Sequence, residues 1–208
     1  MDLTTTEGLA GFVLAAVLAE VTPGPNMSYL AIVALGDGRR AGLAAVAGVA
    51  LGLGLVGVAA ALGLGALITA VPALAQVLRW GGAAYLLWLA WQGWKGADEA
   101  PEHAPRGSTL ARFFRRGLVT NLLNPKAFAF YLTVLPAFVP DAAGDPARFL
   151  TMAAVYVAIA TAIHASIVLA AASWHRVLGQ EAAQGRLRRL LSVLLALVAV
   201  WLLVATAG

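Results

Sequence analysis

The sequence predicts an all-α integral membrane protein with six transmembrane helices, arranged as two inverted three-helix repeats with broken first and fourth helices. Three observations support this prediction. The chain is 61% hydrophobic with a mean hydropathy of +0.84, its apolar residues fall into six long runs, and prolines interrupt the first and fourth runs. A chain of 208 residues accommodates one such bundle, because each crossing takes roughly 20 apolar residues.

Each apolar run is long enough to cross a bilayer as a helix. The second run is longer than a bilayer requires, and its glycines from Gly48 to Gly65 favour close helix packing or a bend. The third run carries tryptophans toward its ends, where they anchor helices at the membrane interface. The predicted spans lie at about 8–35, 41–70, 73–94, 113–138, 149–173 and 190–207.

The basic residues lie between the apolar runs and indicate how the chain is oriented. The loops that follow the first, third and fifth runs carry eleven Lys and Arg residues, whereas the opposite side carries Arg79 and Arg148. The positive-inside rule therefore predicts cytoplasmic loops and both termini outside (N-out and C-out). Because membrane topology accounts for these Lys and Arg residues, the net charge of +4 does not indicate a nucleic-acid partner. The chain has no cysteine, which excludes disulfides, thiolate catalysis and Cys-ligated metals.

One polar linker, at about 95–112, divides the predicted spans three and three. An odd number of spans in each half gives the two halves opposite orientations, which is the inverted-repeat architecture of many secondary transporters. We therefore expect one transporter domain over 1–208, with repeat one at about 8–94 and repeat two at about 113–207.

The two interruptions occupy corresponding positions in the two halves. The segment "TPGPN" (22–26) lies about halfway along the first run, and "NLLNPKAF" (121–128) lies about halfway along the fourth. Proline frees backbone groups from the helical ladder, and such groups are costly in lipid unless they find partners. Paired broken helices indicate a transport site. Half-helix N-termini suit a carboxylate and freed carbonyls suit an ammonium, so the expected ligand is an amino acid.

Two ionisable side chains lie deep inside the predicted spans, each beside one interruption. Of 14 basic and 10 acidic residues, they are Lys126 and Glu20. A charge at that depth costs about 2.5–3.5 kcal/mol on insertion scales, so it indicates a functional role or an ion pair. We expect Lys126 to hold the substrate carboxylate, and Glu20 to hold the ammonium or to take the proton that drives export. The alternative is a purely structural salt bridge between these two side chains.

The predicted substrate-binding or coupling site extends around these two charges. Asparagines supply amide donors and acceptors at both interruptions. A histidine in the middle of the fifth run is either a hydrogen-bonded interior residue or a proton relay. The predicted site residues are Glu20, Thr22, Pro23, Gly24, Pro25, Asn26, Asn121, Asn124, Pro125 and Lys126, with Tyr85, Tyr131 and His164 as further candidates.

An efflux transporter for an inorganic ion or a metal cation is the alternative function. It would need several oxygen or nitrogen ligands within the membrane; Glu20 and His164 are too few, and Lys126 would repel a cation. An enzyme is not predicted, because the apolar runs contain no acidic pair and no metalloprotease, serine-hydrolase or P-loop motif. No cofactor and no resident metal are expected.

Four segments of the sequence carry a family pattern: "EVTPGPNMSYL" (20–30), "GRRAGLAAVAGVALG" (38–52), "WGGAAYLLWLAWQGWK" (80–95) and "FRRGLVTNLLNPKAFAFYLTVLPAFV" (114–139). They resemble the lysine exporter and homoserine/threonine exporter (LysE/RhtB) superfamily, and the similarity fades in the last two runs. The resemblance implies a translocator of the bacterial inner membrane that exports amino acids or close analogues by proton-coupled antiport. Its implied partners are the amino acid, protons, membrane lipid and a second copy in a homodimer. It gives motif roles to Pro23, Gly24, Pro25, Asn26, Asn124, Pro125 and Lys126.

Overall fold

The computed structural model describes residues 6–22, 24–63, 72–95, 106–139, 146–178 and 181–205. Over these ranges the secondary structure is helical, which confirms the predicted all-α class. The helices are α1 (Thr6–Val21), α2 (Pro25–Gly36), α3 (Gly38–Ala61), α4 (Pro72–Lys95), α5 (Arg106–Leu122), α6 (Pro125–Ala129), a π-helical turn (Phe130–Val134), α7 (Leu135–Phe138), α8 (Pro146–Leu178) and α9 (Glu181–Ala205).

Two continuous helices among the described residues are long and apolar enough to cross a membrane: Gly38–Ala61 and Pro146–Ser173. Helices α1 and α2 would together form a third crossing, whose two parts meet at 58°. Helix α5 has only 17 residues and carries several arginines, so it is too short and too basic to be an apolar span by itself. Six crossings and an inverted repeat therefore stay predictions.

Helix α3 packs against both α5 and α8, which come from the other half of the chain. Its contact with α5 is close because glycines stand where the backbones approach. A Cβ at Gly48 would overlap the carbonyl oxygen of Phe114, and a Cβ at Gly117 would overlap the carbonyl oxygen of Ala45. Small residues at such crossings let helix backbones come together. The close packing predicted for the glycines of the second run is confirmed at Gly48.

The remaining helices also connect the two halves. Helix α9 packs against α4 and α2, and α8 packs against α1 and α2.

The tryptophans of α4 point outward, because Trp80, Trp91 and Trp94 are all exposed. Lys95 lies over the ring of Trp91, at 5.0 Å from its centroid. The interfacial anchoring expected of α4 requires outward-facing tryptophans, and the anchoring itself stays a prediction.

Candidate functional site

The first interruption lies between α1 and α2. Helix α1 ends just before Thr22, whose amide and hydroxyl both donate to the carbonyl of Leu18, at 3.2 and 2.8 Å. Gly24 has extended backbone, and Pro25 occupies the first helical position of α2. Proline is favoured there because its missing N–H would have no partner within the helix. Pro23, a predicted site residue, lies outside the described residues.

The second interruption lies between α5 and α6. Asn124 caps α6, since its side-chain oxygen accepts from the backbone amide of Lys126 at 3.1 Å. Pro125 follows at the first helical position, so asparagine and proline together define a helix start. Five residues later the chain widens into the π-helical turn Phe130–Val134, a feature that often marks functional sites. Both interruptions lie where the sequence predicts them.

The two interruptions lie against each other. The Nζ atom of Lys126 donates to the backbone carbonyl of Thr22 at 2.8 Å. The Nδ2 atom of Asn26 donates to Oδ1 of Asn121 at 2.9 Å, and both side chains are buried. Gly24 lies beneath the stem of Lys126, since a Cβ there would be 3.5 Å from its Cδ. We call this meeting point the junction; it brings predicted site residues from both halves into direct contact.

Glu20 is the second-to-last residue of α1, and only 4% of its surface is exposed. Both of its carboxylate oxygens face α8. The hydroxyl of Tyr156 donates to Oε1 at 2.5 Å, and Nε2 of His164 lies 3.1 Å from Oε2. Glu20 and Lys126 thus take different partners. The carboxylate contacts Tyr156 and His164 of α8, and the ammonium donates to the backbone carbonyl of Thr22.

Several buried polar atoms in this region have no hydrogen-bond partner within the described part of the chain. They belong to residues of both halves. Buried polar groups are nearly always paired, and leaving one unpaired costs about 1–3 kcal/mol. The asparagine pair therefore holds one unpaired acceptor and one unpaired donor beside its internal hydrogen bond. The atoms are Oδ1 of Asn26, Nδ2 of Asn121, the hydroxyl of Tyr131 and both ring nitrogens of His164.

Tyr131 and Tyr85, the two further tyrosine candidates, lie in different places. Tyr131 is buried in the π-helical turn and meets Tyr156 edge-on, with ring centroids 5.4 Å apart, so it belongs to the wall around Glu20. Tyr85 instead donates to the carbonyl of Arg116 at 3.3 Å. The guanidinium of Arg116 lies over the ring of Trp88, 4.9 Å from its centroid. The hydrogen bond of Tyr85 therefore joins α4 to α5, away from the contacts of Glu20 and Lys126.

Tyr156 is a member of the site that the sequence analysis did not identify. It is fully buried and stacks on Phe130 with ring centroids 3.7 Å apart. His164 follows eight residues later, about two helical turns, so both side chains lie on one face of α8. The sequence feature that could have identified it is a tyrosine and a histidine at this spacing in a predominantly apolar helix.

The sequence pattern of the LysE type translocator family matches residues 17–206. The chain belongs to this family. It is 29% identical over 149 residues to the homoserine/homoserine lactone efflux protein of Salmonella typhimurium, covering 71% of this chain and 72% of that protein. It is 29% identical over 178 residues to the threonine efflux protein of Salmonella typhi, with coverages of 83% and 81%.

A third relative of this LysE-type translocator is the leucine efflux protein of Enterobacter sp. (strain 638), which is 31% identical over 145 residues and covers 68% of this chain and 69% of that protein. No solved structure matches the chain. The family resemblance expected from the four quoted segments is confirmed. The match continues through α8 and α9, where the quoted motifs fade.

Proposed function

We propose that this LysE-type translocator is a secondary active exporter of amino acids or close analogues, driven by the proton motive force through alternating access. The observation that carries the proposal is the junction, where two interrupted helices from different halves of the chain bond to each other. Paired helix interruptions of this kind form substrate sites in secondary transporters. The relatives named as efflux proteins for homoserine, threonine and leucine support an amino acid as the cargo.

The chemistry of the junction suits a zwitterion. The ammonium of Lys126 lies beside the N-terminal end of α2, and both present positive charge to a carboxylate. A carboxylate that draws Lys126 away would expose the carbonyl of Thr22, which then accepts from the substrate ammonium. The unpaired amide atoms of Asn26 and Asn121 would bind the remaining polar groups. The junction is less suited to bind an inorganic cation, because the positive charge of Lys126 repels it.

Alternating access requires the two halves to rock against each other. The bonds from Lys126 to Thr22 and from Asn26 to Asn121 join those halves across 104 and 95 sequence positions. We infer that a bound substrate replaces these bonds and so lets the halves move. We further infer six crossings of the bacterial inner membrane. The basic loops would lie in the cytoplasm by the positive-inside rule, so both termini would lie on the opposite, outer side. The homodimer implied by the resemblance stays a prediction.

Reconstituted transport tests this function. Purified protein in proteoliposomes would be assayed with radiolabelled homoserine, threonine, leucine and lysine, with and without an imposed pH gradient. We expect at least one of them to move against its gradient when protons move the opposite way. Parallel measurements in cells fed with dipeptides would show a smaller pool of that amino acid when the protein is present. If no amino acid moves and a metal or other inorganic ion does, the proposal is wrong and the alternative holds.

A further inference from the structure

The geometry around Glu20 separates the carboxylate from the junction. Each carboxylate oxygen already has a partner on α8: Tyr156 for Oε1 and His164 for Oε2. The side chain is almost completely buried. A substrate ammonium would have to displace one of these partners to reach it, whereas it reaches the carbonyl of Thr22 by displacing only the ammonium of Lys126.

Neither ring nitrogen of His164 makes a hydrogen bond with the described residues. Its Nε2 lies at ion-pair distance from Glu20, 3.1 Å from Oε2, and only 1% of the residue is exposed. A neutral imidazole has one donor nitrogen and one acceptor nitrogen. If Nε2 carries the hydrogen toward the carboxylate, Nδ1 presents a lone pair inside the protein. That lone pair is the place where a water molecule or an arriving proton would bind.

We propose that Glu20, His164 and Tyr156 form the proton-coupling site of the exporter, separate from the substrate site at the junction. The inference rests on the proposed proton-driven export and decides between the two roles open to Glu20. A proton that binds Nδ1 of His164 makes an imidazolium. The proton on Nε2 then passes over 3.1 Å to Oε2 of Glu20, which leaves a carboxylic acid and a neutral imidazole protonated at Nδ1. Tyr156 is a positioning residue that fixes the other oxygen.

Proton occupancy of Glu20 bears directly on the first interruption. Hydrogen bonds to an ionised acceptor are roughly twice as strong as those between neutral groups, so the hold of α8 on α1 weakens when Glu20 is protonated. Glu20 stands two residues before Thr22, the residue that Lys126 holds. Loosening α1 therefore changes the junction without any direct contact between proton and substrate. The titratable groups near Glu20 in the described structure are Tyr156, His164, Lys126 and Tyr131.

Two transport assays on the same proteoliposomes test the proposal. The first is export driven by a pH gradient, with proton flux followed by a trapped pH dye. The second is counterflow, in which labelled and unlabelled substrate exchange at equal pH without net proton movement. For His164→Gln and Glu20→Gln we expect gradient-driven export and substrate-induced proton flux to fall on the order of a hundredfold, as when a positioned acid–base group is removed. Counterflow should stay near the wild-type rate.

His103→Gln, a histidine change in the predicted linker, is the matched control and should keep both activities. His164→Asn replaces His164→Gln if the latter does not elute as a folded protein. The proposal is overturned if the folded His164 variant keeps wild-type proton flux, or if folded Glu20→Gln loses counterflow together with coupling, which would assign Glu20 to the substrate. A wild-type protein that moves no amino acid in either assay contradicts the proposed function itself, a result distinct from these two.

Discussion

The ε-ammonium of Lys126 lies 2.8 Å from the backbone carbonyl oxygen of Thr22, 104 positions earlier in the chain. Thr22 follows the last residue of α1, so the contact places a cation at the negative end of a helix dipole. It also gives a partner to a carbonyl just beyond the helical ladder. The bond therefore fastens the two interruptions to each other, and a motion that separates the two halves has to break it.

Replacing Lys126 with Met should abolish export, because the variant keeps the length of the stem but loses the charge that holds the carboxylate. It also removes the partner of the Thr22 carbonyl, but this bond lies at an exposed position, so we expect only a small fall in melting temperature. Initial export rates in proteoliposomes measure the effect. Lys95→Met is the matched control, since Lys95 is exposed and its ammonium lies over the ring of Trp91. Equal export by the two variants would contradict the role of Lys126.

The buried amides of Asn26 and Asn121 should behave as one unit. Removing either side chain leaves the other without the 2.9 Å bond, and a buried unpaired amide is costly. We therefore expect the double variant Asn26→Ala/Asn121→Ala to lose less stability than the sum of the single variants, with a coupling of about 0.5–3 kcal/mol. Denaturant unfolding in detergent measures this double-mutant cycle. Strict additivity would show that the two amides do not support each other.

Gly48→Ala should destabilise the fold, whereas Gly54→Ala on the same helix should not. A Cβ at Gly48 overlaps backbone of α5, while a Cβ at Gly54 meets nothing within 4 Å. Overpacking of this kind costs about 1–3 kcal/mol, and alanine at an open helical position gains roughly 0.5–1 kcal/mol over glycine. Melting temperatures of the two variants should therefore move in opposite directions. A Gly48→Ala variant that melts no lower than wild type would mean that α3 and α5 are not closely packed.

The interruptions were predictable from the sequence because their causes are local. Pro25 and Pro125 each begin a helix, and Asn124 caps the second one; these effects depend on neighbouring residues alone. That the two interruptions meet was expected from an argument about repeats, and the contact between Lys126 and Thr22 agrees with it. The six crossings stay untested, because charge and short length keep α5 from forming an apolar span by itself.

The partners of Glu20 were not predictable in the same way. Tyr156 and His164 lie 136 and 144 positions from Glu20 along the chain, and periodicity does not reveal which helix α8 packs against. The sequence analysis considered Lys126 as the partner of Glu20, because both charges lie beside interruptions. In the fold, Glu20 instead contacts Tyr156 and His164, and Lys126 bonds to the backbone carbonyl of Thr22. The π-helical turn at Phe130–Val134 likewise depends on tertiary packing.

Tyr156→Phe isolates the hydroxyl that holds Glu20, because the ring and its 3.7 Å stack on Phe130 are retained. Losing a hydrogen bond to a charged group costs about 1.5–3 kcal/mol. Tyr156→Ala also removes the stacked ring and should cost roughly 3–5 kcal/mol, as other large-to-small core changes do. Thermal unfolding in detergent should therefore show a larger loss of stability for Tyr156→Ala than for Tyr156→Phe. Since the hydroxyl orients the carboxylate of Glu20 without touching the junction, Tyr156→Phe should also lower gradient-driven export more than counterflow. Equal losses in both assays would mean that Tyr156 supports the fold alone.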